Sequence, residues 1–351
     1  MPTTLRTLTQ KIRLFIRSAN ATDESLFNDL ALELFHFHYH HNPGYRRYCR
    51  QLNQTSTTFT HWQQIPAIPQ TAFKQSKTWL TVFPKQDAKN YFETSGTTSA
   101  RKGKHYFKDL ALYHLASATS FRFTFQNHLD LKKKILFLFL KESPQEAKHS
   151  SLSYMFQNWK RTFGTPTSRF LISHNHLDIV TLTKIVKSSQ TPIFLAGTAF
   201  AFASLFEKNL KLSLPKGSVI METGGFKGKT REINKKDFYH ALRKQFQVPD
   251  KAIYNEYGMT ELFSQAYACG AKGHHQFPPW MRFRILDPDT QQLARAGNPG
   301  IIELLDLANV QSCFAIQTQD LGIQQGNKLE LLGRTAPETR GCSLTAENLL
   351  T

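Results

Sequence analysis

Cysteine, acidic side chains and long apolar runs are all scarce in this chain of 351 residues. The four cysteines, Cys49, Cys269, Cys313 and Cys342, are scattered without C-x-x-C spacing, which argues against a zinc site and against a disulfide framework. The longest apolar run, Ile135 to Leu140, is far short of a membrane span. The N-terminus is amphipathic and continues polar, without the apolar core of a signal peptide, so a reducing, cytoplasmic setting is expected. Two nucleotide-binding signatures are also missing. No G-x-G-x-x-G occurs, which leaves a dinucleotide-binding reading unsupported. Gly96 is followed five residues later by Arg101 where a Walker A loop requires glycine. Internal repeats and low-complexity tracts are absent.

What is abundant is positive charge and phenylalanine. Forty-four basic residues face 26 acidic ones, for a net charge of +18. The excess is uneven: residues 1–285 carry 40 basic and 18 acidic groups, whereas residues 286–351 carry 4 and 8. A basic body attracts an anion, whether nucleotide, nucleic acid, membrane surface or acidic protein, and composition does not separate these. The 28 phenylalanines fit core packing better than an apolar acyl tunnel.

Residues 1–50 read as helical, with a stripe at Phe27, Leu30, Leu34 and Phe37. The stripe runs into His36, His38, His40 and His41, and an amphipathic surface helix suits them better than a metal pair. From Ile135–Leu140 onward, short apolar strands at 169–173, 192–196, 218–222 and 252–255 alternate with helical stretches at 177–188, 199–211 and 237–246. That alternation predicts an α/β layered sheet flanked by helices. His174 and His176 read as surface-loop residues. After about residue 280, turn signals at Asp287-Pro288-Asp289, Gly297-Asn298-Pro299-Gly300 and Gly326-Asn327 mark a small antiparallel β subdomain. The expected division is an α/β body over 1–280, a β subdomain over 281–332 and a tail over 333–351.

Four segments carry the chemistry. Thr94-Ser95-Gly96-Thr97-Thr98 followed by Arg101, Lys102 and Lys104 suits a polyphosphate, because hydroxyls and free N–H groups wrap the anion and the cations neutralise it. Tyr254-Asn255-Glu256-Tyr257-Gly258-Met259-Thr260-Glu261 sits at a strand end, where open α/β sheets bind ligands. Gln319-Asp320 places a second carboxylate after an apolar strand, and Gly333-Arg334 with Arg340-Gly341-Cys342 follows. In this order the segments resemble the adenylate-forming superfamily of acyl-CoA synthetases, phenylacetate-CoA-type ligases and luciferases. Leu30–Phe35, Asn42–Cys49, Phe92-Glu93, Gly224–Gly228 and Arg340–Leu344 are most similar to the LuxE-type acyl-protein synthetases, a resemblance that spans the chain.

The resemblance implies an adenylate-forming large domain with ATP and Mg²⁺ as cofactors. Thr94, Ser95, Gly96, Thr97, Thr98 and Lys102 would hold the phosphates, and Glu261 the metal. Tyr257 would stack on adenine, Thr260 would bond the α-phosphate, Asp320 would accept from the ribose, and Gly224 and Gly225 would let the backbone approach the ligand. A fatty acid would be activated as acyl-AMP and passed to a protein thiol, either Cys342 or one on a partner acyl reductase. An acyl carrier protein is the other partner expected, as is a complex with the reductase. The departures concern the C-terminus. The chain stops about ten residues after Gly341, so no lid domain with its lysine is expected, and Ala336 stands where the hinge Asp belongs. Lys104, Arg334 or a partner would then supply the missing charge. Alternatives are transfer to coenzyme A or a carrier protein, a basic nucleic-acid-binding protein, and a non-catalytic reductase scaffold.

Overall fold

The computed structural model of the chain describes residues 4–18, 23–55, 59–75, 79–94, 102–208, 210, 212–224 and 234–334. Two compact units emerge. One comprises residues 120–258 and 265–275, the other 1–119, 259–264 and 276–351.

The first unit is a doubly wound sheet. Five parallel strands lie in the order Arg169–Ser173, Leu136–Glu142, Ile193–Thr198, Val219–Thr223, Ile253–Tyr257. Ala266–Cys269 pairs antiparallel with the last of them, and His176–Leu177 folds back on the first. Strand parity explains why these runs are apolar throughout. Leu136, Leu138 and Leu140 join Ile193, Leu195, Ile220 and Ile253 on one face, against Leu182, Phe202, Leu205, Leu242 and Phe246 of the helices Ile179–Ser188, Ala199–Phe206 and Lys235–Phe246. Phe137 and Phe139 project to the opposite face. There Phe139 stacks on Phe156 at 4.5 Å, and Phe121, Trp159, Phe163 and Phe194 complete an aromatic layer. Much of the phenylalanine is therefore core. Four of the helices start on a side chain that takes up an orphan N–H: Ser150 accepts from Ser153, Asp178 from Thr181, Thr198 from Ala201 and Asn234 from Asp237. The cap at Asp178 and the short strand before it explain why the helix expected from 177 begins at Ile179. His174, in the turn before that strand, and His176, which opens it, are both exposed.

The second unit begins with three helices, Leu5–Ser18, Glu24–His41 and Pro43–Gln51. Asn42 joins the last two: its N–H donates to His38 O, and its side chain accepts from Tyr45 N–H just ahead of the favourable N1 Pro43. Helix Glu24–His41 departs from the surface helix expected. Phe27, Leu30, Ala31, Leu34, Phe35, Phe37, His38 and Tyr39 are all buried. His38 Nε2 donates to Val310 O at 3.1 Å, and burial pushes its ring down to about 3, so it is a neutral core residue. The strands Met281–Leu286, Pro299–Asp306, Ala315–Gln325 and Lys328–Arg334 form an antiparallel meander; the Asp-Pro and Gly-Asn-Pro signals both fall in its first connection, Gly-Asn makes the third, and the second, residues 307–314, carries none of them. Ile68–Pro69 adds in parallel beside Ile316–Gln317.

Candidate active site

In the doubly wound unit, the residues singled out lie at the carboxyl ends of neighbouring parallel strands, where side chains of successive loops converge. Gly224 follows strand Val219–Thr223 with φ +82, a conformation L residues rarely adopt. Tyr257 ends the adjacent strand, is buried, and meets the His275 ring edge-on at 5.6 Å. Gly258 comes next because a Cβ there would run into the Glu256 carboxylate and come within 3.2 Å of Gln265 Cγ. Two buried acids sit in the same strand ends. Glu222 Oε1 accepts from Asn255 Nδ2 at 2.6 Å and from the Tyr239 hydroxyl at 3.2 Å. Glu256 accepts from the Thr223 hydroxyl. Burial pushes each carboxyl up to about 7, against the hydrogen bonds that favour the anion.

The other unit holds Thr94, Lys102, Thr260, Glu261, Asp320 and Arg334. Strands Asn90–Glu93 and Lys104–Phe107 pair as a hairpin. At its neck Thr94 N–H donates to Gly103 O at 3.0 Å, and Gly103 N–H donates back to Thr94 Oγ1 at 2.8 Å. The Thr94 hydroxyl oxygen is thus engaged in closing the loop's base. Lys102 Nζ lies 3.0 Å from Glu93 Oε2, which takes one of its three ammonium donors. Ser95, Gly96, Thr97, Thr98, Gly225 and Cys342 lie outside the described residues.

Glu261 is 1% exposed. Its backbone is held at successive residues. His105 Nδ1 meets Thr260 O at 2.8 Å, and Asn309 Nδ2 donates to Glu261 O at 2.8 Å and to Cys313 O at 2.7 Å. With both amide hydrogens used, Asn309 Oδ1 is the atom 3.1 Å from His105 Nε2. His105 therefore sits between two acceptors. Burial lowers its ring to about 4, so the neutral ring donates to only one of them, and Thr260 O makes the shorter contact. Further along, Asp306 accepts from the N–H groups of Phe263, Ser264 and Ala308 and from the Ser264 hydroxyl, at 2.8–3.0 Å. Burial raises Asp306 to about 6 and these four bonds oppose the shift.

At the Glu261 carboxylate, Gln70 Nε2 donates to Oε1 at 3.2 Å. Burial raises the pKa of this carboxyl, and Lys74 and Arg334 pull it the other way. Asp320 lies within strand Ala315–Gln325 rather than after it, is buried, and accepts from Arg334 Nε at 3.1 Å. Among the described residues no three His, Cys, Asp or Glu side chains gather as a metal cage.

A family model described as acyl-protein synthetase, LuxE, matches residues 12–351. The chain belongs to this family. Long-chain-fatty-acid–luciferin-component ligase of Aliivibrio fischeri is 25% identical over 348 residues, covering 92% of this chain and 88% of that one. The ligase of the same name from Vibrio harveyi is 21% identical over 346 residues, covering 93% and 89%. In fold, the chain is similar to 2-hydroxyisobutyryl-CoA ligase in an open conformation with 2-HIB-AMP and CoA, with a TM-score of 0.64 at 12% identity over 91% of this chain and 77% of that one. This LuxE-family enzyme is thus built on the fold of adenylate-forming ligases. No helix among the described residues is long and apolar enough to cross a membrane.

The LuxE-family motifs do not by themselves point to Gln70, Lys74, His105, Asp306 or Asn309. One signal was available: Asp306 is a lone acid in an otherwise apolar stretch from Leu304 to Ala308, where a charge needs internal partners. The other four lie in unremarkable local sequence and gain meaning only from partners far along the chain.

Proposed function

We propose that the chain activates a long-chain fatty acid with ATP and transfers the acyl group to a protein thiol. The carboxylate oxygen attacks the α-phosphorus, the bond to pyrophosphate breaks, and an acyl-AMP mixed anhydride forms. A thiolate then attacks the acyl carbon and AMP leaves. The observation that carries this reading is Glu261: a buried carboxylate tied down through its backbone by Asn309, contacted by Gln70 and faced by Lys74 and Arg334. Family membership and the substrate named for both luciferin-component ligases add support.

Mg²⁺ fits this residue set. A single hard carboxylate with phosphate oxygens is the usual surrounding of Mg²⁺, and a dication would offset the burial that disfavours the Glu261 anion. When bound, the metal supplies charge neutralisation at the phosphates. Thr94 to Thr98 and Lys102 would flank the phosphates, Thr260 the α-phosphate, Tyr257 the adenine, Asp320 the ribose, and Gly224 and Gly225 would admit the ligand to the backbone. Arg334 bears on Glu261 electrostatically and holds Asp320.

For the second step, Cys342 is the proposed acceptor within the chain, with a partner reductase or carrier protein as the onward recipient. Cys49 and Cys313 are buried, and burial pushes Cys49 up to about 12 and Cys313 higher still. A nucleophilic sulfur must ionise, which disfavours both. The test is pyrophosphate release across a panel of fatty acids, followed by hydroxylamine treatment of protein labelled with radioactive acid. Acid-dependent release and a hydroxylamine-labile label lost in Cys342→Ser are expected. Absence of acid-dependent release would refute adenylation, and equal labelling of Cys342→Ser would move the acceptor elsewhere.

A further inference from the structure

The lysine that the sequence assigns to the phosphates, Lys102, is paired with Glu93 and more than half exposed. A different lysine bears on Glu261. The turn Gln70–Lys74 follows directly on Ile68–Pro69, which pairs with Ile316–Gln317 of the strand that carries Asp320. The turn is anchored from below: Ala72 and Phe73 are buried, the Phe73 ring meets that of His105 at 5.8 Å, and Gln75 N–H donates to Ala72 O. With that anchor fixed, the first and last residues of the turn face the candidate site. Gln70 touches the Glu261 carboxylate. The Lys74 stem passes the neck of the 94–103 hairpin, with Cγ only 3.4 Å from where a Cβ on Gly103 would stand. Lys74 and Arg334 are the cations that pull on the Glu261 carboxyl, and of these Arg334 is already held by Asp320.

A nucleoside triphosphate brought beside a buried carboxylate is repelled unless fixed positive charge accompanies the metal. Lys74 is half-buried, on a turn whose Ala72 and Phe73 are buried, between that carboxylate and the base of the hydroxyl-rich loop. We propose that Lys74 is a triphosphate-binding residue, whose ammonium meets the outer phosphates of the nucleotide while its stem packs against Gly103. The inference rests on the adenylation reading above and adds a residue to it. A cation on the outer phosphates distinguishes the triphosphate from the monophosphate, which lacks them. It also stabilises pyrophosphate as it separates.

The experiment compares equilibrium binding of ATP and AMP, with Mg²⁺ present, to the full chain and to Lys74→Ala, Lys74→Gln and Lys74→Arg, alongside pyrophosphate release. Loss of one charge-assisted phosphate contact should weaken ATP about 10- to 100-fold. AMP binding should change about threefold or less, and Lys74→Arg should recover most of the loss. Lys74→Gln keeps most of the stem against Gly103, so its result stands if the alanine variant disturbs the hairpin neck. A merely structural role would weaken ATP and AMP together. That outcome, or ATP binding unchanged in both Lys74→Ala and Lys74→Gln, overturns the assignment. A wild-type chain with no preference for ATP over AMP and no acid-dependent pyrophosphate release would overturn the parent reading, and this inference with it.

Discussion

The two units hold their candidate residues by different means. In the doubly wound unit, Gly224 and Tyr257 are where they are because parallel strands end side by side, and the hydrogen-bonded ladder sets their height. In the other unit, the loop from Met259 to Ser264 is fixed by side chains that arrive from elsewhere in the sequence. Gln70 lies 191 residues from Glu261, and His105 lies 204 from its partner Asn309. In the first, backbone pairing sets the positions and the buried Glu222 and Glu256 bonds are added to it; in the second, long-range buried polar contacts set them. Backbone pairing tolerates side-chain change. A buried network does not, because each removed partner leaves a donor or acceptor that water cannot reach.

The sharpest test removes the group on which the networked half converges. Glu261→Gln keeps the volume and the Gln70 contact side but removes the charge, and should lower acid-dependent pyrophosphate release by about 100- to 1000-fold with the fold intact. Release within tenfold of wild type would mean that the buried carboxylate is structural. Next comes Asp306→Ala, which strands three N–H groups and a hydroxyl; about 3 kcal/mol of stability should be lost in urea unfolding. A loss near zero would show that the loop holds itself and would erase the contrast between the units.

A pH effect separates the units more finely. Glu222 and Glu256 have carboxyls raised by burial from 4.5 to about 7, so the folded chain binds protons there that the unfolded chain releases. Their contribution is therefore complete below about pH 4.5 and is lost as pH rises through 7, amounting to on the order of 3 kcal/mol for each group. Asp306 acts in the same direction at lower pH, through about 6. The thermal midpoint should fall between ~pH 5 and ~pH 8, and Glu222→Gln should flatten that slope by removing one titrating group. An unchanged slope in the variant would move the titration elsewhere. The smallest effect expected is at Phe139→Leu in the aromatic layer of the doubly wound unit. A large apolar side chain is replaced by a smaller one and the stack on Phe156 is lost, which should cost about 1–1.5 kcal/mol and leave pyrophosphate release unaltered.

The sequence by itself determined the doubly wound architecture, because strands covered on both faces must be apolar throughout and the helices between them must carry one apolar stripe. It also determined the first and last connections after residue 280, since Asp-Pro, Gly-Asn-Pro and Gly-Asn restrict φ locally, but not the one at 307–314, which has no such signal. The motif from Tyr254 to Glu261 was legible for the same reason: a strand end, a glycine and a carboxylate are contiguous. Tertiary structure alone decided which groups surround that carboxylate. Nothing around Gln70 or Lys74 announces a site, and the histidine run at 36–41 suggests an exposed face while His38 lies in the core. Periodicity reports which face of an element is apolar, but not what covers it. The burial that raises Glu261, and the contacts that oppose it, come from chain segments some 70 to 190 residues away. Only closure of the fold brings them within hydrogen-bonding or Coulombic range.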